Sequence, residues 1–331
     1  MKIALVHDWI AGIAGDVRVL DALRQMYPHA DVFCLSQGKP SRLFIPFMPI
    51  RVEALDLSDY DLVISTGSIF SKGLILRPKT YHINYCHSPT RQVWDLSHSY
   101  KRKIFQHLLR IWDRQASTRV DRYICNSEHV KARIKKYYRR DAEVVYPPVS
   151  LPLPNNSPKP PLIDKRGTKG ALIVSRLYRH KNIDIAIQAF NKLGWDLVII
   201  GDGPERHRLE RLAGPTVHVL GAVDDATCSM FYASCKAFIL PQEEDFGIAP
   251  IEAMMHGKPV LALRRGGALE YVQEGINGVF FDEPHEAVLA DGVRRISEMT
   301  FDSEKIKQSA QKFSWQNFQS SFSSIINQSI R

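Results

Sequence analysis

Twelve short runs rich in valine, isoleucine and leucine recur along this chain, alternating with stretches of amphipathic, helix-like periodicity. In the first half they are residues 3–7, 31–35, 62–65, 82–86, 123–125 and 143–146. In the second half they are residues 171–174, 197–200, 217–220, 237–240, 260–263 and 279–281. Each run is largely apolar without strict alternation, so both faces of each strand are expected to be covered. That is the pattern of parallel sheets flanked by helices. Two sets of six imply an α/β protein with two doubly wound, Rossmann-like domains. The length of 331 residues suffices for two such cores.

Residues 147–161 hold seven prolines in fifteen positions, a composition that continues neither a helix nor a central strand. The expected organisation is a first domain over 1–148, a proline-rich linker over 149–161 and a second domain over 162–312. Phe318, Phe322, Ile325, Ile326 and Ile330 fall at helical spacing, which predicts a closing helix within 313–331.

Composition then narrows the function classes. At 44% hydrophobic and 24% charged the chain reads as a soluble globular protein. No apolar run reaches the roughly 18 residues that span a bilayer. The opening Met1–Asp8 has only a short apolar stretch, and reads as a buried strand rather than a leader. Cys34, Cys86, Cys125, Cys228 and Cys235 are scattered and lack zinc-type pair spacing, so reduced cytoplasmic thiols and no metal are expected.

Charge is unevenly placed. Residues 1–150 carry 23 Lys and Arg against 14 Asp and Glu, whereas residues 151–331 carry 21 of each. Tyr100–Arg140 alone has 13 basic and three acidic residues. This is either a solvated basic helical surface or a face held near anionic lipid, at about 1 kcal/mol per basic residue. No nucleic-acid motif accompanies the charge, so nucleic acid is not an expected partner.

Three segments at strand ends carry candidate chemistry. In the first, Leu240 ends a strand, Pro241-Gln242-Glu243-Glu244-Asp245-Phe246-Gly247 forms an acidic loop, and a helix begins near Ile248. Pro250 suits a first helical turn, whose free amides attract an anion or sugar hydroxyls. Glu244 and Glu252 can then face one ligand, or be an ordinary loop acid and a surface helix glutamate. In the second, Ser175–Asn182, Arg176 and Lys181 can converge on a diphosphate or remain solvated cations. In the third, Tyr85–Asp95, His87 stands at the carboxyl end of a strand, where it can meet a hydroxyl or simply pack. Gly201-Asp202-Gly203-Pro204 reads as a tight turn into a helix. Gly12-Ile13-Ala14-Gly15 follows the first strand without the dinucleotide fingerprint.

Together these residues resemble the retaining glycosyltransferases of family 4, which have the two-domain GT-B fold. The resemblance is carried by Glu244 and Glu252 around Phe246-Gly247, by Arg176 and Lys181, by Gly201-Asp202-Gly203, and by Gly266-Gly267 ahead of Glu270. It covers most of the chain and is strongest over Leu172–Asp282. It implies two Rossmann-like domains facing an interdomain cleft, with the closing helix returning to the first domain. It implies that Arg176, Lys181 and Gly15 hold the donor diphosphate and Glu252 the ribose. Amides of Phe246, Gly247, Ile248 and Ala249 would bind donor-sugar hydroxyls, with His87 and Glu244 as the catalytic residues. One departure stands out: many relatives with a His-Asp-Trp start continue Gly-Gly-x-Glu-Arg, whereas this chain has Ala14-Gly15-Asp16-Val17-Arg18. That places acceptor handling by the first loop in question and leaves the donor site intact.

The function so implied is metal- and cofactor-independent transfer of a hexose with retention of configuration. The resemblance favours mannose from GDP-mannose over a UDP-sugar. The acceptor would be a polyprenyl-diphosphate-linked or other glycan of bacterial lipopolysaccharide, O-antigen or exopolysaccharide assembly. Such an enzyme is expected in the cytoplasm or peripherally at the inner face of the membrane, with the basic Tyr100–Arg140 segment on anionic lipid. The rival readings are a nucleotide-sugar epimerase of the same fold and a catalytically silent homologue that binds a membrane or partner.

Overall fold

The computed structural model describes residues 1–9, 15–36, 38, 40–41, 43–95, 103–149 and 170–329, with only the backbone at Gly15 and Asp16. The chain divides into two compact units, one of residues 1–148 with 316–331 and one of residues 149–315.

The first unit runs β1 (Ile3–Trp9), α1 (Gly15–Met26), β2 (Asp31–Ser36), α2 (Met48–Glu53), β3 (Leu62–Gly67), β4 (Tyr81–Cys86), α3 (Lys103–Ala116), β5 (Arg122–Cys125), α4 (Glu128–Tyr138) and β6 (Glu143–Val144). Its six strands lie in the order β2-β1-β3-β4-β5-β6, and every pairing is parallel. All of β3 and most of β1 and β4 are buried, as continuous apolar runs require. The edge strand β6 stops two residues short of the expected 143–146. It has one neighbour only, and Pro147 and Pro148 follow at once.

Asp8 at the end of β1 organises the loop after β3. Its carboxylate accepts the backbone N–H groups of Ser68, Ile69, Phe70 and Ser71 at 2.6–3.0 Å. Beneath that loop Lys72 forms a buried ion pair with Asp113 of α3 at 2.6 Å, and Asp113 also accepts from Thr90, Trp94 and Tyr138. Every polar atom named here is satisfied in the interior, which is the condition for burying it without a large cost.

The second unit runs β7 (Ala171–Val174), α5 (Ile183–Leu193), β8 (Leu197–Ile200), α6 (Arg206–Leu212), β9 (Val217–Gly221), α7 (Asp225–Ser234), β10 (Ala237–Leu240), α8 (Ile248–Met255), β11 (Val260–Leu263), α9 (Ala268–Tyr271), β12 (Gly278–Phe281), α10 (Glu286–Glu298) and α11 (Ser303–Ala310). Its parallel order, β12-β11-β10-β7-β8-β9, is the Rossmann order. Strands β8, β10, β11 and β12 are buried throughout, packed by Phe190, Ile187 and Leu289 of the covering helices.

The last helix, α12 (Trp315–Ser329), begins in the second unit and continues in the first. Phe318 and Phe322 lie against Tyr85, and Arg122 donates to the Ile325 carbonyl and the Ser329 hydroxyl. Residues 150–169, most of the proline-rich stretch, lie outside the described residues. Val149 already belongs to the second unit, where its N–H donates to the Phe313 carbonyl at 2.9 Å.

Candidate active site

In a doubly wound sheet the loops leaving two neighbouring strands toward opposite faces open a crevice at their carboxyl ends. In the second unit those strands are β7 and β10. The loop after β7 holds Arg176 and Lys181; the loop after β10 holds Gln242, Glu244 and Gly247. A side-chain pair joins the two. Lys181 Nζ lies 2.5 Å from Glu244 Oε1, with side-chain exposures of 8% and 20%.

Both loops are held by specific contacts. Lys181 closes a short 3-10 turn, Arg179–Lys181, and its N–H donates to the Tyr178 carbonyl. Asn182 follows in the left-handed region at φ 52° and reaches across to the Pro241 carbonyl. Gln242, 2% exposed, donates from Nε2 to the same Glu244 Oε1 at 2.7 Å. Glu244 thus receives a cation and an amide on one oxygen, and its position is fixed by both.

Backbone from the next loop supports Glu244 from behind. Gly267 N–H donates to the Glu244 carbonyl at 2.9 Å, and Gly266 pairs with Glu244 in an isolated parallel bridge. Gly266 sits at φ +65°, and a Cβ there would lie 2.3 Å from the Glu244 carbonyl oxygen. Only glycine combines that angle with that approach. Gly247, at φ +93°, caps α8, and a Cβ there would meet the Tyr271 hydroxyl at 2.8 Å.

Glu252 is not a surface helix glutamate. It is 4% exposed on the inner side of α8, and its Oε2 accepts the Tyr232 hydroxyl of α7 at 2.7 Å. Arg176 and Lys181 differ in environment. Arg176 is exposed, with its guanidinium 5.9 Å from the Tyr178 ring centroid, whereas Lys181 is buried in its pair. The Phe246 ring is buried against Tyr271 and Phe313, so its backbone rather than its side chain is left for a ligand; Gly247, Ile248 and Ala249 are half-buried at the start of α8.

Two buried polar atoms of this region, Gln242 Oε1 and the Tyr271 hydroxyl, have no hydrogen-bond partner among the described residues. Burial, reinforced by the charges of Glu244 and Glu270, raises the Tyr271 phenol well above its ordinary range and keeps it protonated. Among the described residues, no group of three or more His, Cys, Asp or Glu side chains gathers as a metal site.

In the first unit His87 is half-buried at the end of β4. Its Nε2 lies 2.9 Å from Thr66 Oγ1, and its ring centroid is 5.2 Å from that of Tyr85. Gly15 opens α1, while residues 10–14, including Ala14, lie outside the described residues.

The comparisons with known proteins follow this division of the chain. Residues 14–152 match the model described as Glycosyltransferase Family 4, and residues 159–313 match that described as Glycosyl transferases group 1. Each match covers a little under half of the chain, and the two do not overlap. The chain is 26% identical over 216 residues to an uncharacterized glycosyltransferase of Methanocaldococcus jannaschii, covering 62% of this chain and 59% of that protein. It is 33% identical over 121 residues to a GDP-mannose-dependent alpha-mannosyltransferase of Corynebacterium glutamicum, covering 36% of this chain and 29% of that one. The chain therefore spans less than two thirds of the length of these curated relatives. Its fold is similar to that of Anabaena HepE solved with UDP-glucose, at TM-score 0.76 and 17% identity over 99% of this chain and 100% of that one.

Gln242, Tyr232 and Tyr271 are site neighbours that sequence reasoning missed. Gln242 carried one usable signal, its place two residues before Glu244 in a loop leaving a buried strand. Tyr232 and Tyr271 lie on helices with no local pattern that sets them apart.

Proposed function

We propose that the chain transfers a hexose from a nucleoside diphosphate to a glycan or lipid-linked acceptor hydroxyl, with retention of configuration and without a bound metal. The observation that supports this is the Lys181–Glu244 pair, which places a buried cation and a carboxylate together at the crevice between β7 and β10. In this reading a donor diphosphate takes Lys181 as its counter-ion, together with Arg176 and the first-turn amides of α8. Glu244, still held by Gln242, contacts the donor sugar, with the amides of Phe246, Gly247, Ile248 and Ala249 on its hydroxyls. Glu252 takes the ribose. The unpartnered Gln242 Oε1 and Tyr271 hydroxyl are polar groups of the kind a polar ligand satisfies.

The bond between the anomeric carbon and the diphosphate oxygen breaks as an oxocarbenium-like centre develops. The acceptor oxygen bonds that carbon on the same face, and its proton passes to the departing phosphate oxygen. Lys181 stabilises the developing charge on the leaving group. His87 and Gly15 are assigned to the reaction by family resemblance. GDP-mannose is our specific donor, supported by the corynebacterial relative, with a polyprenyl-diphosphate-linked glycan of bacterial envelope assembly as acceptor. The enzyme would work peripherally at the inner face of the membrane.

The test is incubation with GDP-mannose, UDP-glucose or UDP-galactose in EDTA, with and without a polyprenyl-diphosphate-linked saccharide. The reading expects acceptor-dependent product that retains its anomeric configuration. Sugar isomerisation without acceptor would instead identify an epimerase, and donor binding with no turnover on any acceptor would identify a silent homologue.

A further inference from the structure

Large apolar side chains in water are ordinary when scattered, and informative when clustered. In this chain they cluster. Phe44 (66%), Phe47 (60%) and Ile50 (66%) are exposed on and just before α2, and Ile104 (81%), Leu108 (59%) and Ile111 (55%) are exposed on α3. The two helices belong to one surface. Met48 and Val52 of α2 and Leu109 of α3 share a core cluster, and Trp112 Nε1 of α3 donates to Glu53 Oε1 of α2 at 2.8 Å.

Helix α3 has two opposed faces. At 3.6 residues per turn its buried residues Gln106, Leu109, Asp113 and Ala116 form one side. Ile104, Leu108 and Ile111 fall within about 60° of one another on the opposite side. Lys103 and His107 are exposed along one flank of that outer stripe, with Arg110 and Arg114 half-buried on the same flank and donating to the Val93 and Tyr138 carbonyls. Arg51 is exposed on α2. An apolar stripe flanked by basic residues is the pattern of a helix that lies in a membrane interface. The inner side, with Asp113 ion-paired to Lys72, fastens this helix to its own domain.

We infer that the outer faces of α2 and α3 form a ridge that seats the protein on an anionic lipid bilayer, with Phe47, Ile50, Ile104, Leu108 and Ile111 entering the interface. The inference deepens the proposed function, since a lipid-linked acceptor is presented at such a surface. Charge selects the occupant. The one acidic residue of α3, Asp113, is buried against Lys72, so the charges beside the stripe are basic; a second copy would bring two like-charged surfaces together, whereas anionic headgroups are complementary. No helix among the described residues is long and apolar enough to cross a membrane, so the ridge would act by lying in one leaflet.

The experiment is flotation of the full chain with vesicles of phosphatidylcholine alone or with 30% phosphatidylglycerol, at low and high salt. It compares wild type with the triple variant Ile104→Ser, Leu108→Ser, Ile111→Ser. Wild type is expected to float with the phosphatidylglycerol vesicles, less so at high salt, and the variant to bind at least about tenfold more weakly. These exposed substitutions should leave the melting temperature and its shift with GDP-mannose or UDP-glucose as in wild type. That control separates failure of the ridge from failure of the donor site. Absence of wild-type binding to either vesicle, or equal binding by the variant, would overturn the inference. So would a concentration-dependent dimer that only wild type forms, which would mark the ridge as a protein interface.

Discussion

Lys181 and Glu244 lie 63 positions apart in the chain and meet at 2.5 Å, each at the end of a loop leaving one of the two central strands β7 and β10. In this state each neutralises the other. A diphosphate arriving at the crevice would exchange one anionic partner of Lys181 for another, and so release the carboxylate for the sugar without stranding a buried charge.

The pair should be coupled in stability. Lys181→Met removes the cation from Glu244, and breaking one side of a fully buried pair costs about 3–5 kcal/mol. The 20% exposure of Glu244 lowers that toward about 1–3 kcal/mol, a fall of several degrees in the melting temperature. Adding Glu244→Gln to Lys181→Met should recover part of the loss, while transfer stays absent in all three variants. Thermal melts of the two single variants and the double variant measure the coupling. Strict additivity would show that the contact carries no energy.

Gly266→Ala should damage the site from behind. The new Cβ would sit 2.3 Å from the Glu244 carbonyl oxygen at φ +65°, so the Glu244 loop must move or the backbone must strain. Strain of this kind costs on the order of 1–3 kcal/mol. The expected outcome is a lower melting temperature with a weakened response to nucleotide, read by thermal shift with and without GDP or UDP. An unchanged response would mean that the Gly266–Gly267 backbone does not position Glu244.

Tyr232→Phe removes the hydroxyl that donates to the buried Glu252 carboxylate and keeps the ring. A buried acceptor that loses its donor costs about 1–3 kcal/mol. If Glu252 holds the ribose, KM for the donor should rise by more than kcat falls, which steady-state kinetics resolves. A fall in kcat alone would move Glu252 out of the binding role.

The strand cores were legible because burial on both faces leaves a continuous apolar run. Residues 171–174, 197–200, 237–240 and 260–263 are strands with the bounds the pattern predicts. What periodicity does not contain is strand order, and strand order decides that the loops of Lys181 and Glu244 face each other. The same holds for Tyr232, whose contact with Glu252 depends on how α7 packs on α8. Sequence spacing lets Arg176 and Lys181 converge on one diphosphate, the first as a planar fork and the second as a point charge. The fold separates them, because the 3-10 turn at Arg179–Lys181 carries Lys181 inward and leaves Arg176 exposed on the loop.

His82 gives the first unit a pH dependence. It is 1% exposed in β4, with Nε2 2.7 Å from the Ser65 hydroxyl, and burial pushes its pKa down to about 3 against a raising backbone contact at Arg119. The unfolded imidazole titrates near 6.5. Between those values the unfolded chain holds a proton that the folded chain refuses, so stability falls as pH drops from about 6.5 toward 3. His82→Gln should flatten that slope, as measured by melting temperature between pH 7.5 and 4.5. Equal slopes in both proteins would assign the acid sensitivity to other groups.

Lys181 is the proposed counter-ion of a nucleoside diphosphate. Isothermal titration calorimetry of GDP and UDP into wild type and Lys181→Ala, both in EDTA, tests it most directly. Wild type should bind at least one of the two nucleotides without metal. Loss of a charge-assisted contact of about 1.5–3 kcal/mol should weaken that binding about 10- to 100-fold in Lys181→Ala. Equal affinity in the two proteins, or wild-type binding only after a divalent metal is restored, would contradict the account.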